Sequence, residues 1–347
     1  MIDKRKIILS LVFSLLLIAC NHNQDTANVP GLDGVKNHSP TSYSVWATYW
    51  DAQKLTKEVE DIKDDIQNIC YFAAYFDQNK EVFIPHQTLD TLGKFKDFHH
   101  RFGHQSYLTF VNDLILSEGG SSLKDVDLLY TLFETGESMD KHIEDILSLV
   151  IDRGFDGIEI DYEAIKGDME LWDLYSQFLK GLWESAKKKN IPMRVVLEPN
   201  APWDSIALPQ GPEYVLMCYN LHGHGTKAGP KANEEFIKDL IDRSRSLPGQ
   251  VNFALATGGF DFQDDGLVSS LTEREAEELF ALYGDNLYRD KKSQALVFAY
   301  RDQDGIDHEV WYADGETLKF WIENINRQGS YNISIWRLGG NVSLNAL

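Results

Sequence analysis

The strongest chemical signal in the sequence is a short apolar segment, residues 156–163, in which four of eight side chains are carboxylates. Two isoleucines alternate with the acids as in a β-strand, so Glu159, Asp161 and Glu163 are expected to share one face. Unpaired carboxylates are too costly to bury in a dry core, so this face is expected to line a polar cavity. Such surroundings raise a carboxyl pKa toward the range where the group serves as a general acid at neutral pH.

Two other interpretations of this segment are a solvated acidic edge strand and a calcium-binding loop. A calcium loop needs a turn with oxygen ligands at EF-hand spacing, whereas β-branched residues at alternate positions favour a strand. We therefore expect a catalytic or ligand-binding site at these acids.

The segment resembles the signature of glycoside hydrolase family 18, the chitinase-type family, which reads Asp-Gly-apolar-Asp-apolar-Asp-aromatic-Glu on the fourth strand of a (β/α)8 barrel. One position differs, because Glu159 stands where the family usually has Asp or Asn. A second segment, Met217–Asn220, resembles the family's Met-x-Tyr-Asp at the end of the sixth strand. There Asn220 replaces the commoner Asp, so it can still hydrogen-bond an amide but cannot bear charge.

A third segment, Ile335–Gly339, resembles the family's eighth strand, whose tryptophan lies under the reacting sugar. An aromatic face suits the apolar face of a pyranose, so the chemistry explains why Trp336 is of this type. Three further segments show weaker similarities. Phe72–Phe76 resembles the family's second strand. Leu108–Asp113 and His308–Asp314 resemble segments of bacterial members related to spore-cortex and cell-wall lysins. Together the similarities extend over roughly residues 44–340.

The resemblance implies a retaining hydrolase of β-linked N-acetylglucosamine glycans, such as chitin oligosaccharides or peptidoglycan, that needs no metal or cofactor. The family is an exception to the two-carboxylate scheme and uses its substrate as the nucleophile. Glu163 would protonate the glycosidic oxygen, and the N-acetyl oxygen would attack the anomeric carbon. Asp161 would orient the amide and stabilise the charge on its nitrogen, while Glu159 keeps Asp161 suitably protonated. Tyr219 and Asn220 would complete the clamp.

The residues expected to bind substrate without taking part in the chemistry are Asn220, Trp336, Met217, Asp156 and Phe72. The alternative hypothesis is a catalytically weak or inactive glycan-binding lipoprotein, which the substitutions at 159 and 220 favour. Loss of catalysis usually appears first at the acid position, and Glu163 is intact. A structural or adhesin lipoprotein would not require this combination of residues.

Short strand-like segments alternate with longer helical patterns, which predicts βα units and a parallel sheet. Strands are predicted at 44–49, 69–74, 106–110, 157–162, 194–197, 214–219, 253–256 and 333–336, and helices at 140–152, 169–188, 234–245 and 273–282. A small hairpin, 294–300 with 308–312, is predicted between the seventh and eighth strands. The predicted fold is an α/β (β/α)8 TIM barrel over residues 43–347, with its site at the carboxyl ends of the strands.

The first 42 residues are expected to lie outside the barrel. Three basic residues, Lys4–Lys6, precede an apolar stretch, Ile7–Ala19, that is short for a membrane span. Leu17–Cys20 resembles the bacterial lipobox, which implies removal of residues 1–19, lipid on Cys20 and export to the cell envelope. Residues 20–42 are polar and are expected to form a flexible tether. A plain secretory signal or a short anchor helix is the alternative.

The chain has 347 residues and a formal net charge of −21, which argues against nucleic acid or another polyanion as a partner. An N-acetylated, neutral polysaccharide is compatible with this charge, and we expect a monomer. Cys70 and Cys218 lie in apolar strand-like segments and are expected to be buried free thiols. His222 and His224 lack a third ligand at metal spacing, so we expect a loop over the site there and no metal.

Overall fold

The computed structural model describes residues 42–117 and 119–347, and eight parallel strands in it form a closed barrel. The strands, numbered in chain order, are β1 (Tyr43–Thr48), β2 (Ile66–Phe76), β3 (Gln105–Ile115), β4 (Gly157–Asp161), β5 (Met193–Leu197), β6 (Glu213–Met217), β7 (Gln250–Ala256) and β8 (Asn332–Trp336). Each pairs in parallel with the next, and β8 pairs with β1 to complete the ring. The predicted (β/α)8 barrel is therefore confirmed.

Helices cover the outside of the barrel, because each presents an apolar stripe that must be buried against the strands. Those between barrel strands are Leu55–Asp61, His86–Phe102, Val126–Phe133, Gly136–Arg153, Met169–Lys188, Glu234–Ser244 and Gly315–Gln328. Local signals fix their ends. Asp168, for example, accepts a hydrogen bond from the backbone N–H of Leu171, as an N-cap does.

The barrel has an apolar exterior core and a partly polar interior. The large exterior core packs between strands and helices, and fully buried residues such as Ile158 and Ile160 belong to it. The interior side chains of the alternate strand positions form a smaller cluster that includes Trp46, Tyr107 and Met217. Next to this cluster lies a buried arginine, Arg194, only 1% exposed. Such a residue requires partners, and those partners define the site described below.

The insertion between β7 and β8 is larger than the small hairpin predicted from the sequence. The predicted hairpin is present as Leu296–Arg301 and Asp307–Ala313, but it forms the middle of a five-stranded antiparallel sheet. The other strands are Val268–Leu271, Gly258–Gln263 and Tyr288–Arg289, and the helix Glu273–Tyr283 packs against this sheet. The sequence did not reveal the additional strands because they are short and follow β7 with little apolar alternation.

The predicted signal segment, Cys20 and the predicted tether up to residue 41 lie outside the described residues. Within the described ranges, no helix combines the length and the apolar character needed to cross a bilayer. Cys70 and Cys218 are buried and free, which confirms that prediction.

Candidate active site

Strand β4 carries its acids from the barrel interior to the rim of a cavity. Glu159 is fully buried and Asp161 is 6% exposed. Glu163 follows the end of the strand, and its side chain is 16% exposed. Asn112 of β3 fixes the backbone there: its Oδ1 accepts from the Glu163 N–H at 2.9 Å, and its Nδ2 donates to the Glu163 carbonyl at 3.1 Å. The main chain at Glu163 is thus held from both sides.

The Glu159 carboxyl contacts the side chains of its register neighbours on the adjacent strands. Thr109 of β3 and Arg194 of β5 lie directly beside it in the sheet. The Thr109 hydroxyl donates to Glu159 Oε1 at 2.8 Å, and Trp46 Nε1 donates to the same oxygen at 2.6 Å. Arg194 Nε lies 2.9 Å from Glu159 Oε2, so the two side chains form an ion pair. The Nε–H is not aligned for a hydrogen bond. Both oxygens of this buried carboxyl group therefore have polar partners.

Asp161 lies two residues further along β4, closer to the cavity. Burial raises the pKa of Asp161 well above its usual range, and the negative charges of Glu163 and Glu159 raise it further. The positive charge of Lys124 acts in the other direction. Among the described residues, Asp161 Oδ1 is buried and has no hydrogen-bond partner. The site therefore contains a carboxyl group that favours protonation and has an oxygen free for a ligand.

Glu163 forms an ion pair with Lys124, whose ammonium contacts Oε2. Burial raises the pKa of Glu163, while the charge and the hydrogen bond of Lys124 oppose that increase. The backbone N–H of Lys124 donates to Asp113 Oδ1 at 2.8 Å, which fixes the loop that carries the lysine. The protonation of Glu163 is thus set by two opposing effects.

Aromatic side chains form one wall of the site around Trp336. The ring of Phe72 lies 5.0 Å from that of Trp336, measured between centroids, and the ring of Trp46 lies 5.7 Å away, both edge-on. Edge-on neighbours leave a face of the indole available for an apolar ligand surface. Trp50, about half exposed, continues this aromatic series beyond Phe72.

Two cavities meet along this wall and share Tyr219, Asn220 and Trp336. The smaller, about 240 Å³, is lined by Asp161 and Glu163. The larger, about 610 Å³, extends toward the insertion between β7 and β8. Asn220 adopts a left-handed backbone conformation, φ 63°, which asparagine tolerates better than most residues. The arrangement suits an extended ligand that passes over Trp336 with one end at the acids.

The structure brings most of the predicted site residues to these cavities, with two exceptions. Glu159 does not line either cavity, and it acts on Asp161 from within the barrel. Asp156 lies at the amino end of β4, where its Oδ2 accepts from both the N–H and the hydroxyl of Ser106 at 2.8 Å. Strand residues advance by about 3.3 Å each, so position 156 is far from Glu163 at the rim. The prediction that Asp156 contacts substrate does not agree with this placement.

The residues of the site that were not predicted include Asn112, Lys124, Arg194 and Lys231, the last of which lines the larger cavity. Arg194 could have been suspected, because it is a charged residue in the otherwise apolar fifth strand. Lys124 and Lys231 lie in irregular segments, where no periodicity indicates the direction of a side chain.

No group of three or more metal-ligating side chains occurs in the part of the chain that the structure describes. His224 lines the larger cavity, whereas His222 contacts the backbone carbonyl of Lys227, with Nδ1 3.2 Å from the oxygen. The two histidines therefore belong to a loop beside the groove.

Comparisons with known proteins agree with this architecture. The model for glycosyl hydrolases family 18 matches residues 45–341. The putative sporulation-specific glycosylase YdhD of Bacillus subtilis (strain 168) is 23% identical over 239 residues, which cover 64% of this chain and 56% of that protein. The chain thus spans little more than half the length of this curated relative.

Solved structures show the same fold at low sequence identity. The Bacillus cereus spore cortex-lytic enzyme SleL has a TM-score of 0.72 and 17% identity, over 89% of this chain and 74% of that one. A chitinase from Chromobacterium violaceum ATCC 12472 has a TM-score of 0.71 and 17% identity, over 88% and 97% of the two chains.

Replacing Lys124 with Met should raise the pKa of Glu163, because the change removes the positive charge that opposes the effect of burial. The protonated form of the carboxyl should then persist to higher pH than in the unmodified chain. The measurement is a ¹³C NMR titration of labelled glutamate side chains, with the Glu163 signal assigned by its loss in Glu163→Gln. Lys141→Met, which changes an exposed lysine paired with Asp145, is the control. An unchanged or lowered Glu163 pKa in Lys124→Met would contradict this account.

Proposed function

The chain belongs to the glycosyl hydrolases family 18, and we propose that it is a retaining hydrolase of β-linked N-acetylglucosamine glycans, in which Glu163 is the general acid and base. Chitin oligosaccharides and peptidoglycan both carry the N-acetyl group that this reaction needs. The names of the relatives, a sporulation-specific glycosylase, a spore cortex-lytic enzyme and chitinases, support a glycan of this kind.

The observation that carries the proposal is the free, buried Oδ1 of Asp161 beside the Glu163 carboxyl. A buried polar atom without a partner is costly, so such an atom in a cavity indicates a ligand group that completes it. An amide has both a donor and an acceptor, and Tyr219 and Asn220 line the same cavity as Asp161. We infer that the N-acetyl group of the substrate lies between these side chains.

In the first step, Glu163 gives its proton to the glycosidic oxygen as the bond from that oxygen to the anomeric carbon breaks. The N-acetyl carbonyl oxygen forms a new bond to the anomeric carbon from the opposite face, which gives an oxazolinium ion. Asp161 holds the amide N–H and stabilises the positive charge that develops on the nitrogen. The Trp336 ring supports the sugar in the position needed for this attack.

In the second step, water attacks the anomeric carbon and gives its proton to Glu163, now the base. The oxazolinium ring opens and the N-acetyl group is restored. Two inversions at the same carbon retain its configuration. Glu163, the substrate's N-acetyl group and one water molecule supply every proton and electron pair in this sequence.

Binding without hydrolysis is the second candidate function, and the Lys124–Glu163 ion pair is the observation that favours it. The ammonium stabilises the carboxylate, which cannot donate a proton. The residues at positions 159 and 220 also favour binding without hydrolysis, because the family usually has Asp or Asn at the first position and Asp at the second. The two experiments that follow distinguish this function from hydrolysis.

Replacing Glu163 with Gln should lower kcat by ~10²–10⁴-fold on an acetylated oligosaccharide, because the amide cannot deliver the proton. Glycan binding and the fold should persist, since Gln is nearly the same size. Turnover is measured by mass spectrometry of the products and binding by calorimetry. Asp156→Asn, which alters an acid outside the groove, is the matched control. Turnover of Glu163→Gln close to that of the unmodified chain would refute the mechanism.

Hydrolysis should depend on the N-acetyl group of the substrate, because the proposed mechanism uses its carbonyl oxygen as the nucleophile. A fully deacetylated oligosaccharide should not be cleaved, and a thiazoline mimic of the oxazolinium ion should inhibit competitively. Product analysis and inhibition kinetics on matched acetylated and deacetylated chains are the measurements. Efficient cleavage of the deacetylated chain would exclude substrate assistance. Binding of acetylated glycans with cleavage of none would favour the lectin.

We also propose that the protein is an exported lipoprotein of the bacterial cell envelope, anchored through Cys20. The support is the sequence of residues 4–20, with its basic start, apolar stretch and lipobox-like end. A lipid chain adds membrane affinity by burying its methylene groups.

Replacing Cys20 with Ser should move the protein from the membrane fraction to the soluble fraction or leave an uncleaved precursor. The activity of the purified barrel should not change, because residue 20 precedes it. Cell fractionation and mass spectrometry of the native N-terminus are the measurements, with Cys218→Ser as the thiol control. A native N-terminus without lipid would contradict the anchor and support an ordinary secreted enzyme.

A further inference from the structure

The larger cavity contains an ammonium group that the proposed hydrolysis does not use. Lys231 is half-buried in the cavity wall, on the same surface as Asn220 and Trp336. Its Nζ donates to the carbonyl oxygen of Thr257 at 2.7 Å and lies 5.2 Å from the centre of the Phe260 ring. These contacts direct the charge toward the groove rather than toward bulk solvent.

Lys231 differs from its cationic neighbours because it has no acidic partner in the described ranges. Arg337 and Lys54 line the same cavity, and both pair with Asp51, at 2.6 Å and 3.2 Å respectively. The other carboxylate there, Glu275, is exposed and accepts the capping bonds at the start of its helix. An ammonium has three N–H donors, and the contact with a backbone carbonyl uses one of them. The charge of Lys231 is therefore not neutralised by the protein.

The position of Lys231 is fixed by backbone contacts as well as by its side chain. Its carbonyl accepts a hydrogen bond from the N–H of Leu221 at 2.9 Å, which closes the base of the loop 221–231. Its Nζ reaches Thr257, directly after β7. Burial lowers the pKa of Lys231 to about 7, and the charge of Arg337 contributes to this. A fixed ammonium that is costly to charge gains from an anionic ligand.

We propose that Lys231 binds a carboxylate carried by the glycan, so that the preferred substrate has an acidic substituent near the N-acetylated sugar over Trp336. The lactyl carboxylate of N-acetylmuramic acid has this chemistry. The cavity volume of about 610 Å³ lies within the range of ligand pockets. One ammonium without an acidic partner in the described ranges, on a chain of net charge −21, suits one local carboxylate and not a dense polyanion. This assignment rests on the proposed function, because it places the sugar by that mechanism.

The test measures binding by calorimetry in the Glu163→Gln background, where no ligand is consumed. The first ligand is a peptide-free oligosaccharide of alternating N-acetylglucosamine and N-acetylmuramic acid, and the second is the same chain with its carboxylates converted to methylamides. The carboxylate form should bind about tenfold tighter or more, as expected for a charge-assisted hydrogen bond. Lys231→Gln should remove this difference, because Gln keeps a donor but has no charge. Lys231→Arg should retain part of it.

Lys227→Gln is the matched control, since Lys227 is exposed on the same loop and does not line the larger cavity. This variant should keep the full preference for the carboxylate. Equal affinity for the two ligands, binding of neither, or a preference that survives Lys231→Gln would overturn the proposal.

Binding of a third ligand, the same glycan with its peptides attached, identifies the source of the carboxylate. In that ligand the lactyl group is an amide, and the carboxylates lie on the peptide. A Lys231-dependent preference for that chain over the methylamide would support the ammonium's role and assign the peptide carboxylate as its ligand. Cleavage of a neutral chitin oligosaccharide with Glu163 intact tests the proposed hydrolase separately. A failure of one proposal is therefore distinguishable from a failure of the other.

Discussion

The site depends on one buried ion pair, between Glu159 of β4 and Arg194 of β5 inside the barrel. Charges removed from water are stable only when they are paired and hydrogen-bonded, and here both partners meet that condition. Arg194 also donates to the hydroxyl of Ser334 at 2.8 Å, and Trp46 and Thr109 donate to the carboxylate. Together they hold the Glu159 carboxyl beneath Asp161. Burial and the charge of Glu163 raise the pKa of Asp161, and the charge of Glu159 raises it further.

The same ion pair explains how the barrel accommodates Glu159 at a position where the family usually has a shorter side chain. Its carboxyl reaches the side chains of its register neighbours instead of bonding to Asp161. Asp161 therefore keeps one oxygen free, and Glu159 influences it through its electric field alone.

The barrel and the central acids could be predicted because short-range patterns determine them. Alternation fixed the faces of Glu159 and Asp161, and the eight predicted strands coincide with β1–β8. Asp156 was misplaced because the resemblance treats the motif as a unit, although a strand separates its two ends. The five-stranded insertion was underestimated because its extra strands are short and lack clear alternation. Lys124 and Lys231 could not be assigned, since their contacts come from loops that only the closed barrel brings to the groove.

Lys124 and Lys231, two of the lysines at the groove, differ in their ionic partners. Lys231 has no carboxylate partner among the described residues, whereas Lys124 is already paired with Glu163. The Lys124 pair disfavours the protonated form of Glu163, from which the first proposed step starts, because the ammonium stabilises the carboxylate. It favours the second step, in which Glu163 must be a carboxylate to accept the proton of water. Burial acts in the opposite sense in both steps. A general acid that later becomes a base must be protonated in one step and ionised in the next, so it needs an intermediate pKa. The opposing effects of burial and Lys124 on Glu163 favour such a pKa.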